Sequence, residues 1–303
     1  MKAFLFYIMN SYFKFLEGKA RFSAWLIVLF ITLLCIPLLL NSDHKVLAKI
    51  VGVSIVVLFS VALWYWRTQT LRKIKMQARI KLNLNDRFWL NEHIPYYKVL
   101  SKSNKTIFED RLGLFLTEIR IKEIGKEMPE KETCLYVASS AIIAFWGLPY
   151  WNYGELTEVF VYPKDLNKLN ETHDNNGSGQ VNIHHGGLID STMFLSLDPL
   201  IKGFKKLDGQ NVGIHEFSHL MDKNDDTIDG VPGLFSFENQ KLWNELIETE
   251  LRRLVKQGEL DNYAYTGKTE FFAVIMEYYR EKPEKIESHF PEIYAILKKN
   301  LLN

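Results

Sequence analysis

The sequence predicts an α+β domain preceded by a two-helix transmembrane hairpin. Three observations support this class: two long apolar runs near the N-terminus, two short strand patterns in the middle, and several helical patterns in the C-terminal half. Hydrophobic residues make up 47% of the 303 residues and charged residues 24%, so the chain can bury a core. Lysine and arginine total 37 against 36 for aspartate and glutamate, and this balance gives no reason to expect nucleic-acid binding.

The N-terminal region, residues 1–66, contains two runs that are long enough to cross a bilayer. Residues 22–40 carry no charge, and residues 46–66 carry only Lys49, near the start of the run. A helix rises about 1.5 Å per residue, so each run can cross a hydrocarbon layer of about 30 Å. A signal peptide followed by a core helix is the alternative, but no small-residue cleavage site follows the first run.

Basic residues on both flanks of the hairpin predict its orientation. Lysine and arginine precede the first span, and residues 67–85 form a basic linker after the second. The positive-inside rule therefore places both termini and the following domain in the cytoplasm, as in a multi-pass protein of the cytoplasmic membrane. Beside a membrane, the basic linker is predicted to contact anionic lipid headgroups of the bilayer.

Residues 86–303 are predicted to form one globular domain. Apolar spacing predicts helices over 105–124 and 135–145, whereas 158–162 and 192–197 read as strands. Further helices are predicted over residues 210–223, 238–257, 268–281 and 291–302. Since helices and strands are segregated along the chain, the class is α+β. The strand 192–197 is either the edge of the sheet, where an extended peptide can add to it, or a core strand.

The segment 213–222 contains the pattern His-Glu-x-x-His. On a helix, His215 and His219 lie one turn apart on the same face, so both imidazoles can bind one tetrahedral zinc ion. Glu216 lies beside the metal, where it can take a proton from the attacking water and deliver it to a leaving amine. Asp222 is placed to orient a ligating imidazole.

A third protein ligand is expected in the helix over 268–281. Glu270 and Glu277 lie on one face of this helix, among apolar residues where an unpaired carboxylate is costly. Their spacing does not choose between them. Three protein ligands leave the fourth zinc position open, which favours a catalytic over a structural metal.

Longer stretches around these motifs resemble a known family. HEFSHLMDKNDDTIDGVP, followed by DNYAYTGKTEFFAVIMEYY, is similar to the Mlc titration factor A family of zinc-dependent peptidases, which are zincin-like. The resemblance covers residues 90–303 and includes LPYWNYGELTEVFVYP, GGLIDSTMFLSLDPL and HFPEIYAILKKNL. It implies a zincin-like metallopeptidase domain with one zinc ion per chain.

Carried over position by position, the resemblance implies zinc ligands and two catalytic side chains. The ligands are His215, His219 and Glu270, and Glu216 is the general base. Tyr263 matches a tyrosine that donates a hydrogen bond to the developing oxyanion; Tyr265 is chemically able to do the same.

The sequence therefore predicts a membrane-anchored zinc metallopeptidase that hydrolyses peptide or protein substrates in the cytoplasm. Both aminopeptidase and endopeptidase action fit it. The alternative is a membrane-tethered regulatory module, because the family takes its name from binding a transcriptional repressor of sugar uptake. In that case the domain would sequester a cytosolic protein and hydrolysis would be secondary.

Overall fold

The computed structural model describes the chain from residue 79 onward with several gaps. The described residues are 79–148, 153–154, 156–163, 186–189, 191–222, 230–233, 235–254, 264 and 266–301, with single positions between 52 and 62. Contacts divide the chain into two units, residues 1–80 and 81–303. The predicted domain boundaries at residues 66 and 85 stay predictions.

The second unit combines helices and strands. In chain order, its described elements are α1 (Leu84–His93), α2 (Pro95–Lys98), α3 (Lys102–Glu118), β1 (Arg120–Glu123), α4 (Lys131–Ala144), β2 (Glu158–Tyr162), β3 (Gly186–Ile189), β4 (Thr192–Ser196), α5 (Leu197–Lys205), α6 (Val212–Asp222), α7 (Phe237–Leu254), α8 (Lys268–Glu281), α9 (Pro283–His289) and α10 (Pro291–Asn300). The predicted mixture of helices and strands is confirmed.

The four strands form a mixed sheet in the order β1-β2-β4-β3. β1, β2 and β4 run parallel, and β3 runs antiparallel to β4. Parallel neighbours need a crossover, which helix α4 supplies between β1 and β2. Helices and strands are therefore less segregated along the chain than the sequence patterns indicated.

One face of the sheet belongs to the core. Ile121, Val159 and Met193 occupy paired register positions on neighbouring strands, and all three are buried. The other face carries the rings of Phe160 and Phe194, which stack with centroids 5.7 Å apart. This alternation is the period of two that a half-buried strand requires.

One prediction about these segments is wrong, and one choice that the sequence left open is decided. The helix predicted over 105–124 ends at Glu118, and its last residues form β1 because Ile121 pairs with β2 inside the core. The strand predicted over 192–197 lies between β2 and β3, so among the described residues β3 is the edge strand on that side. The core alternative for 192–197 is the correct one, and Met193 and Leu195 are fully buried.

Helix α4 is the central helix of the domain. Residues Leu135–Ala144 are buried without interruption, and the helix contacts α3, α5, α6 and α8. Helix α6 packs against α4 on one side and against α8 on another, and it also contacts β3 and β4. Helix α6 therefore lies between the sheet and two helices and has neighbours on several sides.

The described residues contain no helix long and apolar enough to cross a membrane. The predicted span 22–40 lies wholly outside the described residues, and the span 46–66 does so at all but a few positions.

Gly213 allows α6 to approach α4 closely. A Cβ atom at Gly213 would lie 2.6 Å from Cβ of Ser140 and 2.7 Å from Cδ1 of Leu200. We therefore expect Gly213→Ala to lower the free energy of unfolding by about 1–2 kcal/mol, because overpacking outweighs the gain in helix propensity. Denaturant titration followed by tryptophan fluorescence measures this change.

Gly267→Ala is the matched control. Its backbone is extended, with φ 176°, and the nearest atom to an added Cβ is Oγ1 of Thr269 at 3.8 Å. Because Gly267 is the N-cap of α8, where glycine is preferred to alanine, this variant should lose at most about 0.5–1 kcal/mol, less than Gly213→Ala. An equal loss in both variants would contradict close packing at Gly213.

Candidate metal centre

Two histidines lie one turn apart on the buried helix α6. The helix is capped by Asn211, whose side-chain oxygen accepts a hydrogen bond from the backbone N–H of Ile214 at 3.2 Å. The imidazoles of His215 and His219 face each other edge to face, with centroids 4.9 Å apart. His215 is 8% exposed, so solvent reaches little of its ring.

Helix α8 brings a carboxylate to these imidazoles. Glu270 lies in the first turn of α8, and its Oε2 is 3.0 Å from Nε2 of His215 and 3.6 Å from Nε2 of His219. Phe271, directly after it, is fully buried. The packing of α8 on α6 therefore sets the distance between the carboxylate and the two rings.

The three side chains form a group that fits a divalent metal. The two Nε2 atoms lie 3.2 Å apart, and together with Glu270 Oε2 they give a triangle with sides of 3.0, 3.2 and 3.6 Å. Ligand atoms bound at about 2.0–2.2 Å in a tetrahedral arrangement lie about 3.3–3.6 Å apart. Two imidazoles and a carboxylate thus have both the chemistry and the spacing of a metal site.

Hydrogen bonds shift the pKa values of His215 and Glu270 in opposite directions. Burial alone would raise the pKa of Glu270, but hydrogen bonds with His215 and His219 lower it to about 2. Burial alone would lower the pKa of His215, yet hydrogen bonds to Glu270 and Glu277 raise it well above 6.5. Without a metal the pair is therefore ionised, and a metal that binds His215 displaces a proton.

Glu216 occupies the position between the two histidines in the motif. It is 8% exposed, and its charge contributes to the raised pKa of His215. A carboxylate next to the donor group and largely shielded from solvent is suited to proton transfer.

Glu277 contacts the opposite side of His215. Its Oε1 lies 2.8 Å from Nδ1 of His215, while its Oε2 accepts a hydrogen bond from the backbone N–H of Asn211. The structure thus separates the two glutamates that the sequence left equivalent. Glu270 lies at the donor triangle, and Glu277 lies behind the first histidine.

Three further residues were predicted to act at the site: two tyrosines and Asp222. Tyr263 and Tyr265 lie outside the described residues, so the oxyanion role of Tyr263 stays a prediction. Asp222 is fully buried at the end of α6, where its Oδ2 accepts a hydrogen bond from Gly230 N–H at 3.0 Å. This bond joins the end of α6 to Gly230.

Sequence reasoning placed Glu270 and Glu277 on one face of α8 but missed Glu281 on the same face. Glu270, Glu277 and Glu281 follow one another at spacings of seven and four residues, which place them on one helix face. Glu281 accepts hydrogen bonds from Gly209 N–H at 2.9 Å and from Nδ2 of Asn211 at 3.0 Å. The spacing of these three acids on one face of the helix was the available signal.

Removing an imidazole from the triangle should weaken metal binding strongly. We expect wild-type protein to bind a divalent ion and His215→Ala to bind it more than about 100-fold more weakly, since losing a ligand costs more than losing its supporting partner. Competition with a chromophoric chelator measures both dissociation constants. His289→Ala, at an exposed position on α9, should bind like the wild type, and equal weakening in that control would contradict the site.

The half-buried carboxylate of Glu281 should make stability depend on pH. Burial, with the nearby charges of Glu277 and Asp208, raises the pKa of Glu281 from 4.5 to about 7, against the opposing hydrogen bonds from Asn211 and Gly209. The unfolded chain loses this proton near pH 4.5 and the folded chain near pH 7. The associated stability is therefore complete below about pH 4.5, and about 3 kcal/mol of it is lost as the pH rises through about 7.

Glu281→Gln tests this linkage because glutamine does not titrate. With metal removed by chelation, the variant should gain stability relative to the wild type by about 3 kcal/mol between pH 4.5 and pH 8. Denaturant titrations across this range measure the difference. A difference that is constant with pH would contradict the raised pKa.

Comparison with known proteins assigns the chain to a family. The family model described as glucose-regulated metallo-peptidase M90 matches residues 64–300. An uncharacterized protein of Synechocystis sp. is 26% identical over 225 residues, which cover 69% of this chain and 80% of that protein.

Two similar proteins carry the name Mlc titration factor A. The protein of Pectobacterium atrosepticum is 27% identical over 157 residues, covering 47% of this chain and 57% of its own length. The protein of Yersinia pestis is 27% identical over 152 residues, covering 45% of this chain and 54% of its own length. The chain therefore spans little more than half the length of these two relatives. The resemblance predicted from the motifs is confirmed, and the chain belongs to the M90 family of metallo-peptidases.

Proposed function

We propose that this protein is a membrane-anchored, zinc-dependent metallopeptidase that hydrolyses peptide bonds. The observation that carries the proposal is the donor triangle of His215, His219 and Glu270 beside the buried Glu216. Membership of a metallo-peptidase family supports the same reaction class.

Zinc is the metal that this donor set favours. Two imidazoles and one carboxylate are a common ligand set of catalytic zinc, and three protein ligands leave one position for water or substrate. Bound there, zinc supplies Lewis-acid polarisation of the scissile carbonyl and makes a water molecule a good nucleophile near neutral pH.

The protein's own side chains supply proton transfer and orientation. Glu216 takes the proton from the attacking water and passes it to the leaving amine. The hydroxyl of Tyr263 donates a hydrogen bond to the developing oxyanion, a role supported by the family resemblance alone. The Nε2 atoms of His215 and His219 stay unprotonated during turnover, because a protonated Nε2 has no lone pair for a metal.

An extended peptide is the substrate that the sheet fits. Strand β3 lies beside α6 and is one of the two edge strands of the sheet among the described residues. Backbone N–H and C=O groups along such an edge can pair with a peptide strand, which brings a peptide bond toward the helix that carries the histidines.

The proposal includes an anchor in the cytoplasmic membrane. The anchor is a hairpin of two spans, supported by the charge-free run 22–40 and the run 46–66. Basic residues on their flanks support an orientation with both termini and the peptidase domain in the cytoplasm. The bilayer is then a constant partner of the chain, and substrates are cytosolic peptides or proteins.

A second function is favoured by the names of the relatives. Two of them are called Mlc titration factor A, which suggests that this domain binds a repressor such as Mlc and holds it at the membrane. In this case the domain acts by sequestration, and peptide hydrolysis is secondary.

Glu216→Gln separates the two functions. We expect the full chain in detergent micelles to cleave a peptide library when loaded with zinc, and the variant to lose about 10²–10⁴-fold in rate, since it lacks a base for the water proton. Its zinc content should equal that of the wild type. Mass spectrometry of the products and of bound metal measures both.

Glu245→Gln, on the exposed face of α7, is the matched control and should cleave at the wild-type rate. Full activity in Glu216→Gln would refute the role of that carboxylate. If zinc-loaded wild type and variant both fail to cleave, yet bind purified Mlc with equal affinity, the regulatory function replaces the peptidase function.

A further inference from the structure

Glu277 is a buried carboxylate that the proposed reaction does not use. Its side chain is 7% exposed and lies two turns after Glu270 on α8. A carboxylate among apolar side chains is costly unless its oxygens are paired. Its hydrogen-bond partners therefore indicate its role.

Both oxygens of Glu277 accept hydrogen bonds from the segment that carries the histidines. Nδ1–H of His215 donates to Oε1 at 2.8 Å, and the backbone N–H of Asn211 donates to Oε2. Asn211 also caps α6 through Ile214. One carboxylate thus contacts the imidazole and the turn from which its helix begins.

The bond at Nδ1 determines which nitrogen faces the donor triangle. A neutral imidazole carries one proton, and a carboxylate at Nδ1 keeps the proton there. Nε2 is then left with a lone pair, and it is this atom that lies 3.0 Å from Glu270 Oε2 and 3.2 Å from Nε2 of His219.

Charge gives a second reason for a carboxylate at this position. A divalent metal bound by two neutral imidazoles and Glu270 leaves a net charge of one positive unit in a largely buried site. The Glu277 carboxylate lies one imidazole ring away and cancels that positive charge. The metal, its ligands and Glu277 together are then close to neutral, before the charge of Glu216 is counted.

We propose that Glu277 is a positioning residue: it holds His215 in the tautomer and orientation in which Nε2 binds the metal. This inference rests on the proposed metal site and adds a residue to it. Because Glu270 and Glu277 lie on one helix, α8 contacts both nitrogens of the same ring, one through a ligand and one through its support.

Glu277→Gln is a sharp test because glutamine matches glutamate in shape but has one acceptor. If its oxygen faces Nδ1–H of His215, its NH₂ group opposes the Asn211 N–H donor. If its oxygen faces Asn211, its NH₂ group donates to Nδ1 and moves the ring proton to Nε2. The variant therefore loses either the anchor to α6 or the tautomer that binds metal.

The experiment measures the Zn²⁺ dissociation constant of the full chain by chelator competition. We expect Glu277→Gln to bind Zn²⁺ about 10–100-fold more weakly than the wild type. Glu281→Gln is the control, because Glu281 also holds the 209–211 turn but does not contact His215. Its dissociation constant should stay within about threefold of the wild type, whatever its effect on unfolding.

A measurement on the wild type keeps the inference testable if Glu277→Gln fails to fold. Long-range ¹H–¹⁵N spectra of the Zn²⁺-loaded, histidine-labelled protein report which ring nitrogen carries the proton. The proposal expects protonated Nδ1 and metal-bound Nε2 at His215. A metal-bound Nδ1 at His215 would overturn it.

The outcomes distinguish the inference from the proposed function. Wild type that binds Zn²⁺ together with an equally tight Glu277→Gln variant overturns the positioning role and leaves the metal site intact. Equally weakened Zn²⁺ binding in Glu277→Gln and Glu281→Gln also overturns it. Such a result would show that the 209–211 turn affects the site, and not the hydrogen bond to the His215 ring. Wild type that binds no Zn²⁺ overturns the metal site and the inference with it.

Discussion

The packing of α6 against α8 is the contact on which the candidate site depends, because neither helix carries the whole donor set. Helix α6 contributes two imidazoles one turn apart, and α8 contributes the carboxylate that completes the triangle. Gly213 and Ser140 allow α6 to lie deep against the central helix α4 on another side. The depth of α6 and its contact with α8 together fix the 3.0–3.6 Å spacing of the donor atoms.

Acidic residues on α8 show how position changes the properties of one residue type. Glu270 meets two imidazoles, which lower its pKa to about 2. Glu281, eleven residues later, is half-buried and meets neutral hydrogen-bond donors and other carboxylates, and its pKa rises to about 7. Glu277 lies between them and pairs with an imidazole and a backbone amide. The same helix face thus passes from a charged to a partly neutral environment within three turns.

The candidate site was predicted more accurately from the sequence than the β-sheet was. A spacing of four residues places His215 and His219 on one face of any helix, so their proximity needs no tertiary information. The choice between Glu270 and Glu277 does need it, because both share a face and only the docking of α8 decides which reaches the triangle. Residues 120–123 continue a helical pattern, yet they form β1 because pairing with β2 buries Ile121. Strand β3 begins with two glycines and has too short a pattern to be recognised before its pairing with β4 is known.

Contacts between helices α6 and α8 hold the donor group in place. His215 is held at both ring nitrogens by carboxylates of one helix, and His219 lies within 3.6 Å of the same Glu270 oxygen. The donor atoms are therefore positioned by the packing of two helices and by hydrogen bonds between them, and none of the three ligands comes from a loop. Side chains on packed helices hold a site more precisely than side chains on loops do. Such precision suits a metal centre with three protein ligands, because the fourth position can then be kept open for chemistry.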